Sequence, residues 1–233
     1  MTTYVLVHGA YQGGWVWQLV AARLRAAGHD VYAPTLDGCA ERRGSLRAGI
    51  TNDTHAAEIA ALLFYEDLRE VTLVGTSSGG MVISRAAELA PERIGRLAFV
   101  DALALEHGER LDGIVSRPAV TGDELAAGPT RHDAETRLFA EFDEPLRRWA
   151  LERYCPHPVA AMAEPMHLER FWSMPWDALV VRCTRAVNPP ESHQRRTAER
   201  LGAVWAELDT GHYPMLTTPD ELVALLLSTA AGR

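Results

Sequence analysis

The chain has 233 residues, 47% hydrophobic and 23% charged, with a formal net charge of -8. That is enough apolar material for one compact globular domain, or one domain carrying an insertion, and too little positive charge to neutralise a nucleic-acid backbone. All 23 basic residues are arginine, which excludes lysine Schiff-base or lysine general-base chemistry. Apolar runs such as Leu222–Leu227 fall short of the roughly 20 residues that span a bilayer. Met1–Gly9 reads as a strand rather than a charged leader. A cytoplasmic chain without a membrane partner is therefore expected. Cys39, Cys155 and Cys183 are too widely spaced for a disulfide framework or a zinc site, so reduced core cysteines and no metal are expected.

Short apolar runs alternate with segments of helical period, the pattern of a parallel sheet wrapped by helices. Tyr4–Val7 reads as the first strand, followed by a helix from Trp15 to Ala27 that stops at Gly28 and a strand at Val31–Ala33. An Arg-rich loop, Leu36–Gly49, precedes an N-cap at Asp53-Thr54 and a helix to Tyr65 with Ala56, Ile59, Ala60 and Leu63 on one face. Strand Val71–Val74 runs into Gly75-Thr76-Ser77-Ser78-Gly79-Gly80 and a helix from Met81 to Leu89. Strand Leu97–Val100 ends at Asp101. The alternation then stops, and residues 103–176, rich in aromatics, read as an inserted, mostly helical cap on a core made of 1–102 and 177–233. Alternation resumes with strand Leu179–Arg182, a helix over Glu191–Leu201, strand Val204–Leu208, a histidine-bearing loop and a helix from Pro219.

Gly75-Thr-Ser77-Ser-Gly79 fits the nucleophile elbow G-x-S-x-G and lies between a strand and a helix, as that motif requires. The sharp turn presents the Ser77 hydroxyl at a helix N-terminus and aims the Ser78 N–H at a developing oxyanion. Positions 75, 79 and 80 do not give the G-x-G-x-x-G of a dinucleotide site, so no cofactor is expected. A second glycine-rich turn, His8-Gly9-Ala10-Tyr11, stands after the first strand. Its Ala10 N–H is the expected second oxyanion donor, with Gly9 leaving room for substrate, Tyr11 and Trp15 near the pocket, and His8 bracing the loop. The general base is expected late in the chain, after the last strand, where His212 stands in Gly211-His-Tyr-Pro214.

Taken together, Tyr4-Val-Leu-Val-His-Gly-Ala10 with Trp15 and Trp17, Asp53-Thr-His55, Tyr65-Glu-Asp-Leu68, Val74-Gly-Thr-Ser-Ser-Gly-Gly-Met81, Pro156-His-Pro158 and Gly211-His-Tyr-Pro-Met-Leu216 resemble one family. It is the α/β-hydrolase branch that holds plant methylesterases, hydroxynitrile lyases and bacterial EstC-like esterases. The resemblance implies an α/β fold with a mostly parallel sheet and helices on both faces, Ser77 as nucleophile, His212 as base, and Ala10 with Ser78 as the oxyanion hole. Hydroxynitrile lyases of this branch carry Thr and Lys where this chain has Gly9 and Tyr213, which disfavours cyanohydrin cleavage.

One departure stands out. Relatives place the triad acid a few residues past the strand that ends here at Cys183, and that position is Ala186. Asp101, at the carboxyl end of the preceding strand, is the first substitute. Asn188 and Asp209 are weaker ones, and Asp177 lies at the wrong edge of the sheet. These readings predict a cofactor-independent serine hydrolase acting on a small apolar or aromatic ester, lactone or thioester. The alternatives are a repurposed site that uses His212 as base for elimination, cyclisation or decarboxylation, and a ligand receptor on the same scaffold. A small molecule is the expected partner, and association as a homodimer is left open.

Overall fold

The computed structural model describes residues 1–115 and 121–228. Its chain runs β1 (Thr3–Val7), α1 (Gln18–Ala26), β2 (Asp30–Tyr32), α2 (Asn52–Tyr65), β3 (Val71–Ser77), α3 (Gly79–Leu89) and β4 (Ile94–Ala102) before the alternation breaks. Then come β5 (Thr121–Gly122), β6 (Ala126–Gly128), α4 (Arg131–Asp133), α5 (Glu144–Arg153), β7 (His157–Pro158) and α6 (Val159–Ala163). β8 (Ala178–Cys183), α7 (Glu191–Leu201), β9 (Val204–Leu208), α8 (Pro214–Thr217) and α9 (Pro219–Ser228) complete the described chain.

Among the described residues the main sheet has the strand order β2-β1-β3-β4-β8-β9, with every neighbouring pair parallel. A parallel sheet must be covered on both faces, and the strand sequences show it. Val5, Val7, Leu73, Leu97, Phe99 and Val180 face one layer with Ala56, Ile59 and Leu63 of α2 and Ile83 and Ala86 of α3. Tyr4, Leu6, Val74, Ala98, Val100, Leu179 and Val181 face the other, with Val20 and Leu24 of α1 and Leu222 and Leu226 of α9. Adjacent strand residues thus go to opposite sides, which is why these strands read as unbroken apolar runs.

Several element ends differ from the sequence reading for identifiable reasons. Helix α2 is capped by Thr51, whose side chain accepts from the Thr54 N–H while Thr54 returns a bond to the Thr51 backbone. That reciprocal box outcompetes a cap at Asp53-Thr54. The stretch Gly14–Trp17 is a 3-10 turn ahead of α1, and Gly28 does take the left-handed conformation, with φ +85°. The helix Glu191–Leu201 and the strand Val204–Leu208 have the ends read from sequence.

Residues 103–176, which include 116–120 outside the described residues, hold short helical pieces and also an antiparallel sheet, β5-β6-β7. Strands of two or three residues built from Gly, Ala and Pro leave no periodic trace, so this sheet was not foreseen. The segment returns to the core at Glu88 of α3, a buried carboxylate that accepts the backbone N–H groups of Glu169, Arg170 and Phe171 at 3.0 to 3.3 Å. The three cysteines are buried and free.

Candidate active site

Ser77 ends β3 with φ +52°, a left-handed conformation for a residue with a Cβ. Such a residue costs on the order of 1 kcal/mol and persists where the surroundings hold it. Here the surroundings are glycine contacts that admit no side chain. A Cβ on Gly79 would lie 2.6 Å from the Val7 carbonyl oxygen and 2.7 Å from that of His8, so α3 starts hard against the end of β1. The Ser78 N–H then stands at the helix N-terminus beside Ser77.

The loop after β1 is held from beneath by His8. The wholly buried ring accepts the Leu36 N–H at Nε2 (3.0 Å) and lies 2.8 Å from the Gly9 carbonyl at Nδ1. Those partners put the proton on Nδ1, and burial pushes its pKa down to about 4 against the opposing pull of the Gly9 carbonyl. This is a bracing arrangement. Gly9 has a different use from the one read in sequence: a Cβ there would lie 2.6 Å from the Ser77 Cβ. The space over Gly9 therefore holds the serine side chain and not substrate. Ala10 and Tyr11 line the cavity in front of Ser77. Trp15 does not; its ring packs edge-on against Trp149 at 5.2 Å.

His212 lies in the loop between β9 and α8, and its Nδ1 is 2.5 Å from Oδ2 of Asp101. Asp101 reaches it because of a bulge. In the pairing of β3 with β4, Thr76 faces Val100 and Ser77 faces Ala102, which leaves Asp101 as the extra residue, with φ +45°. A bulge of this kind re-aims one side chain at the end of a strand. The Asp101 carboxylate is fully buried, and its other oxygen accepts the Cys183 N–H at 3.3 Å and the Gln194 side-chain N–H at 2.8 Å. Asn188 lines the cavity. Asp209 turns outward to Arg185, Asp177 lies 3.6 Å from Arg96, and Ala186 is half-buried in a turn closed onto the Cys183 carbonyl. Gln194 was missed: a glutamine in the middle of an Arg- and Glu-rich helix looks like part of a solvated face.

Ser77 and His212 open into one cavity of about 140 Å³. Its apolar wall is Leu103, Leu111, Val115, Leu138 and Met162, and its remaining polar groups are Tyr11, Gln12, Asn188 and Tyr213. No Arg, Asp or Glu lines it among the described residues. On the far side of His212 a second, open cavity is bounded by Arg137, Glu141, Arg185 and Ala186.

The model of the alpha/beta hydrolase family matches residues 4–225. The chain belongs to the α/β-hydrolase family. Within it, a carbendazim hydrolyzing esterase of Nocardioides sp. (strain SG-4G) is 39% identical over half of this chain and 48% of its own length. An alpha-hydroxynitrile lyase of Arabidopsis thaliana is 30% identical over 70% of this chain and 65% of its own. The chain thus spans about half to two thirds of these two relatives. Methylesterase 7 of Arabidopsis thaliana is 27% identical over 97% of this chain and 95% of its own. Among solved structures, an extracellular alpha/beta-hydrolase from a Paenibacillus species superposes with a TM-score of 0.85 at 21% identity, covering 98% of this chain and 99% of that one. The hydrolase fold brings the elbow, the first-strand loop and the histidine loop to the carboxyl ends of its parallel strands, where ligands bind in open α/β sheets. Among the described residues no helix is long and apolar enough to cross a membrane.

Proposed function

We propose that this α/β-hydrolase is a serine esterase that cleaves small, uncharged esters, lactones or thioesters with an apolar or aromatic group. Ser77 Oγ attacks the carbonyl carbon, and His212 Nε2 takes the hydroxyl proton and returns it to the leaving group. The N–H groups of Ala10 and Ser78 receive the oxyanion. Asp101 accepts from Nδ1 and holds the imidazole in the tautomer whose Nε2 is free to accept. The observation that carries this reading is the 2.5 Å contact between His212 Nδ1 and a buried carboxylate, in a cavity that also contains Ser77. Uncharged substrates follow from the absence of Arg, Asp and Glu from the described cavity wall, because a buried charge without a partner is costly. Residues 103–176 act in this reading as the cap over the core formed by 1–102 and 177–233. The three free, buried cysteines fit a reducing, cytoplasmic location.

Incubation with an alkyl fluorophosphonate tests this without a guessed substrate. Intact mass is expected to show one adduct, mapped to the peptide holding Ser77 and absent from Ser77→Ala. A folded protein that takes up no adduct, or takes it up equally in the variant, would overturn the reading.

A further inference from the structure

We propose that Gln194 is a positioning residue for the acid: its side-chain amide holds the Asp101 carboxylate in the orientation and charge state that His212 needs. The inference rests on the esterase reading above. Gln194 is 1% exposed, and its Nε2 donates to Asp101 Oδ1 at 2.8 Å and to the Pro189 carbonyl at 3.0 Å. Both neighbours on that side are acceptors, so the NH2 group must face them; turning the amide over would set its oxygen against a carboxylate. The other amide atom, Oε1, has no hydrogen-bond partner among the described residues. A buried side chain with one end unsatisfied and the other donating twice is placed for donation.

The geometry also explains how an acid on β4 serves a histidine after β9. Asp101 is fully buried, and a buried carboxylate ionises only where donors replace water. Oδ2 is given to His212, so Oδ1 must collect the rest: the Cys183 N–H from the end of β8 and the Gln194 amide from the first half of α7. The stretch between them contains Ala186, the position where the family resemblance places the acid. This chain therefore uses the two flanks of that stretch to support a carboxylate that comes from elsewhere. Among the described residues, Asp101 faces the His212 ring and the Cys183 thiol, which burial pushes far up and keeps neutral.

Two near-isosteric variants test this, each read by the pH dependence of kcat/KM on a nitrophenyl ester and by 15N NMR titration of His212. Gln194→Met removes the donor. It is expected to lower kcat/KM by about tenfold or more, as loss of a supporting hydrogen bond does at other sites. With one donor fewer the Asp101–His212 pair holds its proton more tightly, so the acid limb and the imidazole titration both move to higher pH. Gln194→Glu keeps the shape and donates only while protonated, so it is expected to add a new alkaline limb as the shared proton leaves. A purely structural glutamine would leave the Gln194→Met profiles at their wild-type positions. Folded variants with wild-type profiles would overturn the proposal, and if Gln194→Met does not fold, the presence or absence of the new limb in Gln194→Glu decides it. A wild-type protein inert to esters whose His212 titration still moves in Gln194→Met would sink the esterase reading and leave the positioning role standing.

Discussion

Asp101→Asn is expected to lower kcat by about 10⁴-fold, the cost of the corresponding change in serine proteases, while leaving the fold intact. The structure supplies the reason. In the variant, the oxygen position that receives the Cys183 N–H and the Gln194 N–H must be taken by the amide oxygen, because both neighbours are donors. The amide NH2 is then left facing His212 Nδ1, 2.5 Å away in the native protein. An NH2 can only donate there, so Nδ1 becomes an acceptor and the ring proton moves to Nε2. A histidine with a proton already on Nε2 cannot take one from Ser77. Turnover of a nitrophenyl ester and the rate of phosphonylation should fall together, with thermal stability little changed. A loss below tenfold in both would mean that Asp101 does not steer the histidine.

Lowering the pH from 7 to 5 is expected to cost about 4 kcal/mol of folding stability from two histidines alone. His8 and His193 are buried, and burial is the main reason each has its pKa pushed down to about 4 from 6.5; the Arg196 guanidinium adds to the effect at His193. Both act as acceptors while neutral, His8 from the Leu36 N–H and His193 from the Ala104 N–H. A histidine whose folded pKa is depressed binds more protons unfolded than folded, so stability rises with pH through this window. The contribution is complete above about pH 7 and is lost as pH falls from 6.5 towards 4, at about 2 kcal/mol per histidine by pH 5. His55, buried and depressed for the same reason, adds in the same direction. Urea melts at pH 7, 6 and 5 measure this directly, and a midpoint that does not move would show that these rings are protonated without cost. Against a typical total of about 5–15 kcal/mol, that loss is a quarter or more of the folding stability.

Much of this architecture could be read from the residues. Strands buried on both faces announce themselves as apolar runs, and Glu191–Leu201, bounded by Pro190 and Gly202, was legible to the residue. Ser77 and His212, the proposed nucleophile and base, were legible as candidates because that chemistry demands unusual surroundings: a turn between strand and helix for one, a Gly-His-Tyr-Pro loop for the other. Asp101, the proposed acid, became a candidate only through the gap at Ala186, and its reach to His212 depends on a bulge that no sequence pattern marks. What escaped was set by contacts distant in sequence. Trp15 looked like a pocket residue until Trp149, 134 positions away, took its face. Gly9 looked like room for a ligand when its missing side chain makes room for Ser77. Gln194 has no local signature, since its partner lies on another strand.

The bulge at Asp101 has an evolutionary side. An acid carried on a loop ties the length and sequence of that loop to catalysis. In the esterase reading proposed above, the carboxylate is carried by an interior strand, and the stretch from Thr184 to Pro190 holds no acidic side chain. Insertions and substitutions in its exposed part, around Arg185 and Val187, can reshape the approach to His212 while the strand ladder keeps the acid in register. Such a division of labour makes that stretch a first choice for directed evolution of substrate range, with libraries there expected to retain a higher active fraction than equal libraries at 99–103.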